Sequence, residues 1–217
     1  MRAVVLVGAG SHGRGTLEIL RARAAGGLPV PEVLGFVDDA PGAAGGALGG
    51  LPVLGDVAWL CARAAEGLGA ILALASPKAK RALAERLDAA GVAWATAVHP
   101  SAIVGAGTTI APGAIVGAGV VTAYDNRIGP HTTINLGATV GHDCEIGAYA
   151  TIAPGVNITG NVKIGEGAEV QTNATIVPGR SIGAWSRVGP GAVVLHDVAE
   201  DEFVFGNPAR RMPAIEK

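Results

Sequence analysis

Aromatic side chains are scarce in this chain: three Phe, two Tyr and three Trp among 217 residues. That scarcity excludes an ordinary core of large interlocking rings. With 34 glycines present, it points to a fold that stacks small aliphatics and turns often. Charge is thin as well. Asp, Glu, Lys and Arg make up 16% of the residues, the formal net charge is −2, and no Lys/Arg block occurs, so the electrostatic footprint of a nucleic-acid binder is missing. Two cysteines, Cys61 and Cys144, are too few for a disulfide framework or a cysteine zinc site. The N-terminal apolar run from Ala3 to Val7 is shorter than a secretion signal or a membrane span requires. These absences leave a cytoplasmic protein of one or two domains, with no membrane span and no nucleic-acid partner.

What is present is a repeat of six residues. Val104, Ile110, Val116, Thr122, Ile128, Ile134, Val140 and Ile146 open a series that continues unbroken through Ile152, Ile158, Ile164, Val170, Ile176, Ile182, Val188 and Val194. Every member is β-branched, and the residue after it is usually Gly or Ala, as at Gly105, Gly141 and Gly165. Six matches neither the strand period nor the helix period. It matches a parallel β-helix in which each hexapeptide gives one short strand and one corner, and three hexapeptides close an 18-residue coil. The β-branched residue points inward and stacks on its equivalents about 4.8 Å away. The small residue after it is expected to let the corner turn. Asn126 and Arg180 occupy slots that call for a small residue, and Asn126 is expected to mark a bulge.

Residues 1–97 read differently, as a small α/β domain ahead of a β-helix domain over 98–217. Strands are expected over Ala3–Val7, Val33–Val37, Ala70–Leu74 and Val92–Val98, with helices after residues 12, 56 and 76 and a mobile Gly/Ala/Pro loop from Pro41 to Gly50. Gly8, Gly10 and Gly13 form a G-x-G-x-x-G pattern between strand and helix, the context of a backbone phosphate cradle. Asp38 follows at a distance suited to a ribose contact. With fewer than 100 residues ahead of the repeat, a site for one nucleotide, such as that of a nucleotide sugar, fits better than a dinucleotide site; a purely structural turn is the bland reading.

The conjunction is specific. Gly8-Ala9-Gly10-Ser11-His12-Gly13, Gly35-Phe36-Val37-Asp38-Asp39, Val98-His99-Pro100, Gly141-His142-Asp143-Cys144, Gly160-Asn161-Val162-Lys163-Ile164-Gly165 and Gly206-Asn207-Pro208-Ala209-Arg210 span nearly the whole chain. Together they resemble the bacterial nucleotide-sugar acetyltransferases of the bacillosamine and perosamine pathways and their sialic-acid O-acetyltransferase relatives. The resemblance implies a Rossmann-like parallel sheet followed by a left-handed β-helix, acetyl-CoA as co-substrate, no metal, a nucleotide sugar as acceptor and a homotrimer. It implies transfer to an amine of a nucleotide-linked amino-deoxysugar, with transfer to a sugar hydroxyl such as that of sialic acid as the alternative. It assigns Gly10, Ser11 and His12 to the phosphates or sugar, Asp38 and Asp39 to the base or ribose, and Ala75 with Ser76 to the far lip.

An ammonium must lose a proton before its nitrogen can attack a thioester, so the reaction needs a base. Histidine is the side chain whose ordinary titration spans neutral pH. Of His12, His99, His131, His142 and His196, His142 is followed by Asp143, which can orient its imidazole; His196, likewise beside Asp197, belongs to the segment after the last coil. The resemblance places the base on the same His. Positions 18 apart stack, so Tyr124, His142 and Gly160 are expected in one column. By resemblance Gly160 faces the thioester oxygen. Thr151 stands where the family has a second His, and Thr172 and Pro190 lie on the wall along which CoA runs. The tail Arg210-Arg211 is a further candidate for the CoA phosphates. Trp185 and Tyr149 are expected to project outward as burial sites for a partner copy.

A γ-type carbonic anhydrase would need three metal-ligating histidines, and the repeat holds only His131 and His142. A bare scaffold would need neither the His142-Asp143 pair nor the glycine-rich loop.

Overall fold

The computed structural model describes residues 3–212. The chain divides into two compact units between Pro100 and Ser101.

In the front unit, β1 (Ala3–Val7) leads through the glycine-rich loop into α1 (Ser11–Ala25), followed by β2 (Glu32–Val37), β3 (Ala47–Leu48), β4 (Leu51–Gly55), α2 (Val57–Cys61), β5 (Gly69–Leu72), α3 (Pro77–Ala89) and β6 (Ala93–Trp94). The sheet order is β3-β4-β2-β1-β5-β6, parallel except where β3 pairs antiparallel with β4. The central strand β1 is buried on both faces, and Val4, Val5 and Leu6 are wholly shielded from solvent. Such near-continuous aliphatic runs are the mark of a covered parallel strand. The Pro41–Gly50 stretch is not a plain loop. Gly49 and Gly50, with φ of 58° and 80°, make the two-residue turn of a β3–β4 hairpin, and the strand Leu51–Gly55 that follows was not legible in its Pro-containing sequence. The second helix ends at Cys61, and a separate 3₁₀ turn follows at Ala64–Glu66.

The second unit is the β-helix. Sixteen two-residue strands run from Ile103–Val104 to Val193–Val194, each ending on the β-branched residue of the repeat. They form three parallel sheets in which partners are 18 residues apart, for example Ile115↔Thr133, Val121↔Thr139 and Arg127↔Glu145. These sheets are here called the first, second and third faces. Inward residues such as Ile134, Ile152, Ile158 and Ile176 are fully buried, each worth about 1.5–3 kcal/mol of hydrophobic stabilisation. Phe203–Phe205 and Arg210–Arg211 close the last coil, Phe203–Phe205 pairing parallel to Arg187–Val188 and antiparallel to Arg210–Arg211.

Two local readings change. The small residue after each aliphatic does not supply the turn. A Cβ on Gly141 would stand 2.5 Å from the Gly160 nitrogen, so the side chain is absent because the next coil's backbone passes there. The left-handed backbone lies two residues further on, at every sixth position from Gly107 to Gly191, whether the residue is Gly, Asp, Asn, His, Tyr or Trp. Asn126 causes no bulge. It is fully buried in register, its Oδ1 accepting from the Cys144 N–H at 2.9 Å and its Nδ2 donating to the Ala123 carbonyl at 3.1 Å. Arg180 leaves the prism, its guanidinium 3.6 Å from the Asp197 carboxylate.

Candidate functional site

The front unit gathers its sequence-predicted residues at the C-terminal ends of β1, β2 and β5, the edge at which open α/β sheets bind ligands. The three glycines of the loop differ in purpose. A Cβ on Gly13 would collide with the Gly8 carbonyl, and one on Gly8 with the Ala73 carbonyl and Leu74, so both are fixed by packing. Gly10 has open space where its Cβ would be, and it caps α1 without a side-chain hydrogen bond. With no acidic residue in the first turn of α1, the helix presents its positive end at Ser11 and His12. Burial, reinforced by the charge of Lys80, pushes the His12 imidazole below its usual range, so it is neutral at pH 7.

Asp38 and Asp39 are engaged with backbone. Asp38 accepts from the Ala9 N–H at 2.7 Å and the Ala40 N–H at 2.9 Å, tying the end of β2 to the glycine-rich loop. Asp39 accepts from the Val57 N–H at 2.7 Å and from Arg86 at 3.1 Å. Ala75 is exposed just before Ser76, whose Oγ caps α3 by accepting from the Ala79 N–H at 3.3 Å. Sequence reasoning missed Lys80. It is fully buried on the inward face of α3 with Pro77, Ala84 and Leu87, and its signal was a lysine at a helix position that periodicity assigns to the core.

In the prism, the expected column forms. Tyr124 and His142 stack with ring centroids 5.3 Å apart and planes 13° from parallel. On the other side, a Cβ on Gly160 would lie 2.6 Å from His142 Nε2 and 2.8 Å from Cε1, so the absence of a side chain at Gly160 makes the seat for the imidazole. The His142 main chain is fixed from both neighbouring coils: the Asn161 N–H donates to its carbonyl at 2.8 Å, and the Asp143 N–H donates to the Tyr124 carbonyl at 3.2 Å. Asp143 takes the left-handed conformation (φ 54°), which Asp tolerates better than most residues. Its Oδ2 is 2.7 Å from His142 Nδ1. An ionised carboxylate only accepts, so Nδ1 carries the hydrogen and the neutral ring keeps its lone pair on Nε2. Behind the pair, Cys144 points inward and donates to the Thr159 carbonyl at 3.0 Å; burial pushes its thiol up, so it stays protonated and unreactive.

The remaining wall residues stand elsewhere on the same chain. Gly160 shares the corner of His142, between the second and third faces. Thr172 and Pro190 share the corner between the first and second faces, and Thr151 lies in a strand of the first face. Trp185 and Tyr149 do not project freely. Trp185 folds back over Gly167 and Tyr149 stacks on His131 at 5.4 Å, all at left-handed corner positions and half-buried or buried. Arg211 faces Glu202 at 3.6 Å in the closing hairpin. Among the described residues, no helix is long and apolar enough to cross a membrane, and no group of three His, Cys, Asp or Glu side chains converges as a metal site.

Comparison with known proteins agrees with this division. Residues 3–87 match the PglD N-terminal domain, and residues 127–160 match the bacterial transferase hexapeptide repeats. No curated protein matches the chain. Among solved structures, it is similar to the perosamine N-acetyltransferase of Caulobacter crescentus, in complex with CoA and GDP-perosamine, at 32% identity over 97% of both chains with a TM-score of 0.89. It is similar to the acetyltransferase domain of PglB from Neisseria gonorrhoeae, in complex with acetyl coenzyme A, at 29% identity over 97% of this chain and 99% of that one, with a TM-score of 0.87. WeeI from Acinetobacter baumannii is 26% identical over 97% and 99% of the two chains, with a TM-score of 0.79. With both units matched in one alignment of nearly full length, the chain belongs to the bacterial nucleotide-sugar acetyltransferase family, the acetyl-CoA-dependent sugar acyltransferases that join a small α/β domain to a left-handed hexapeptide β-helix.

Proposed function

We propose that this enzyme transfers the acetyl group of acetyl-CoA to the amine of a nucleotide-linked amino-deoxysugar, with His142 as general base. The observation that carries the reading is the setting of His142: Nδ1 held by Asp143, the ring seated on Gly160, and the lone pair of Nε2 available to an incoming proton. The base takes the proton that the amine loses as its nitrogen bonds the acetyl carbon. The carbon–sulfur bond breaks, and the departing CoA sulfur takes the proton from the imidazolium, so that CoA leaves as a thiol and the base is restored. Asp143 stabilises the imidazolium that forms, and the backbone at Gly160 adjoins the position where negative charge develops on the thioester oxygen. Support for the amine as acceptor comes from the perosamine N-acetyltransferase relative with its bound GDP-perosamine. The reaction belongs in the cytoplasm, where acetyl-CoA is available.

The front unit selects the nucleotide in this reading, through Gly10, Ser11, His12, Asp38, Asp39 and Ala75. Because Asp38 accepts from Ala9 and Ala40, its carboxylate acts through the shape of the glycine-rich loop. Asp38→Ala removes both charge-assisted hydrogen bonds and should weaken nucleotide-sugar binding by about tenfold or more while acetyl-CoA binding is unchanged. Titration calorimetry with each ligand checks this; equal losses for both would point to a folding defect instead.

Thr151, Thr172 and Pro190 lie away from the His142 corner of their own chain, which supports an acetyl-CoA groove completed by a neighbouring copy. A homotrimer closes such heterologous contacts without free ends. Sedimentation of active enzyme should give a trimer, and an active monomer would exclude the shared groove.

The acceptor is tested by thiol release from acetyl-CoA in the presence of UDP-, GDP- and dTDP-linked 4-amino sugars beside sialic acid. Release with one nucleotide-linked amino sugar is expected, and release with sialic acid alone would replace this reading by O-acetylation.

A further inference from the structure

The chain has two tyrosines, and each stacks on a histidine one coil away: Tyr149 on His131, and Tyr124 on His142. The two pairs differ in setting. His131 is buried, 4% exposed, so its pair belongs to the packed body of a corner. Tyr124 is 52% exposed and the His142 side chain 42% exposed, so burial within its own chain does not account for an aromatic ring at position 124. The other members of its column, Ala106, His142, Gly160, Pro178 and His196, form no continuous aromatic series that would explain it as a structural ladder.

An imidazole on an exposed corner has rotameric freedom that a general base cannot use. Asp143 fixes one atom of the ring, Nδ1, but a single hydrogen bond leaves rotation about that contact. Gly160 bounds one ring face and is only a backbone surface. The near-parallel Tyr124 ring bounds the other, and the two together hold the imidazole plane along the coil. We infer that Tyr124 is a positioning residue for acetyl transfer, its ring stacked on His142 so that Nε2 stays aimed at the acceptor amine and its π face favours the imidazolium formed when the proton arrives. This rests on His142 being the general base. The phenolic hydroxyl plays no part, since stacking requires only the ring.

The test uses the full-length enzyme with Tyr124→Ala, Tyr124→Phe and His142→Ala side by side, on the acceptor that supports thiol release. Tyr124→Ala is expected to lower kcat about three- to tenfold, the size of one aromatic stacking contact, with both KM values unchanged. Tyr124→Phe should recover most of that loss. In proton NMR, the His142 ring protons, shielded by the stacked ring, should move downfield in Tyr124→Ala and stay in place in Tyr124→Phe. An unchanged kcat with unmoved resonances in Tyr124→Ala would overturn the proposal, as would a loss in Tyr124→Phe equal to that in Tyr124→Ala. Normal turnover in His142→Ala would instead remove the general base on which the proposal stands.

Discussion

His142→Ala should lower kcat by roughly 10²–10⁴-fold, the usual contribution of a positioned general base. Both KM values should change little, because the imidazole acts chiefly as the proton moves. Folding and assembly should survive. The side chain is half exposed on a corner, and the Ile/Val stack inside the prism does not touch it. The backbone bonds that fix this corner, from Asn161 to the His142 carbonyl and from Asp143 to the Tyr124 carbonyl, are independent of the side chain. Steady-state kinetics beside a thermal melt separates the two effects. A large loss of kcat with an unchanged melt supports the role, and near-normal turnover across the pH range would send the search for the base to another residue. Asp143→Ala should act in the same direction but more mildly through loss of the 2.7 Å contact to Nδ1. It also places Ala in the left-handed region, so Asp143→Asn is the cleaner variant.

Gly160→Ala is the second large effect expected. The Gly160 backbone is not in the left-handed region, so alanine meets no conformational penalty there. The penalty is local contact: the new Cβ would lie 2.6 Å from His142 Nε2 and 2.8 Å from Cε1, and the imidazole is the group able to move. Displacing a catalytic group by about 1 Å can cost about 10²-fold in rate. Gly160→Ala should therefore lower kcat by about that factor while the melting temperature barely changes, since the atoms displaced are the end of a half-exposed side chain. Kinetics paired with a crystal structure of the variant checks it; an unmoved imidazole with normal kcat would show that the seat at Gly160 does not position the base.

The β-helix was legible because its signal is a count. An inward β-branched residue at every sixth position forces the strand register, and the register then stacks residues 18 apart, which puts Tyr124, His142 and Gly160 in one column. The turn position was not legible. It carries Gly107, Asp125, His131, Tyr149, Asn161 and Trp185 alike, and what these share is a backbone conformation, not a residue type. The glycines at 105, 141 and 165 drew attention as turn formers, yet they answer to a neighbouring backbone that only the closed coil reveals. In the front domain the glycine pattern located the loop, but the inward turn of Asp38 onto the Ala9 N–H and the burial of Lys80 depend on tertiary contacts without a local signature. Likewise Trp185 and Tyr149 looked like exposed partner contacts, and the structure lays them over the preceding coil at Gly167 and His131.

The central claim is that an acetyl group moves from acetyl-CoA to a sugar amine. Acetyl-CoA labelled with ¹³C at the acetyl carbonyl, incubated with the enzyme and a nucleotide-linked 4-amino sugar, places the label in the product, where NMR reads its attachment. The account predicts that the labelled carbonyl correlates with an amide N–H on the sugar ring and that free CoA thiol appears in equal amount. A labelled ester on a ring hydroxyl, or labelled free acetate with the amine untouched, would contradict it.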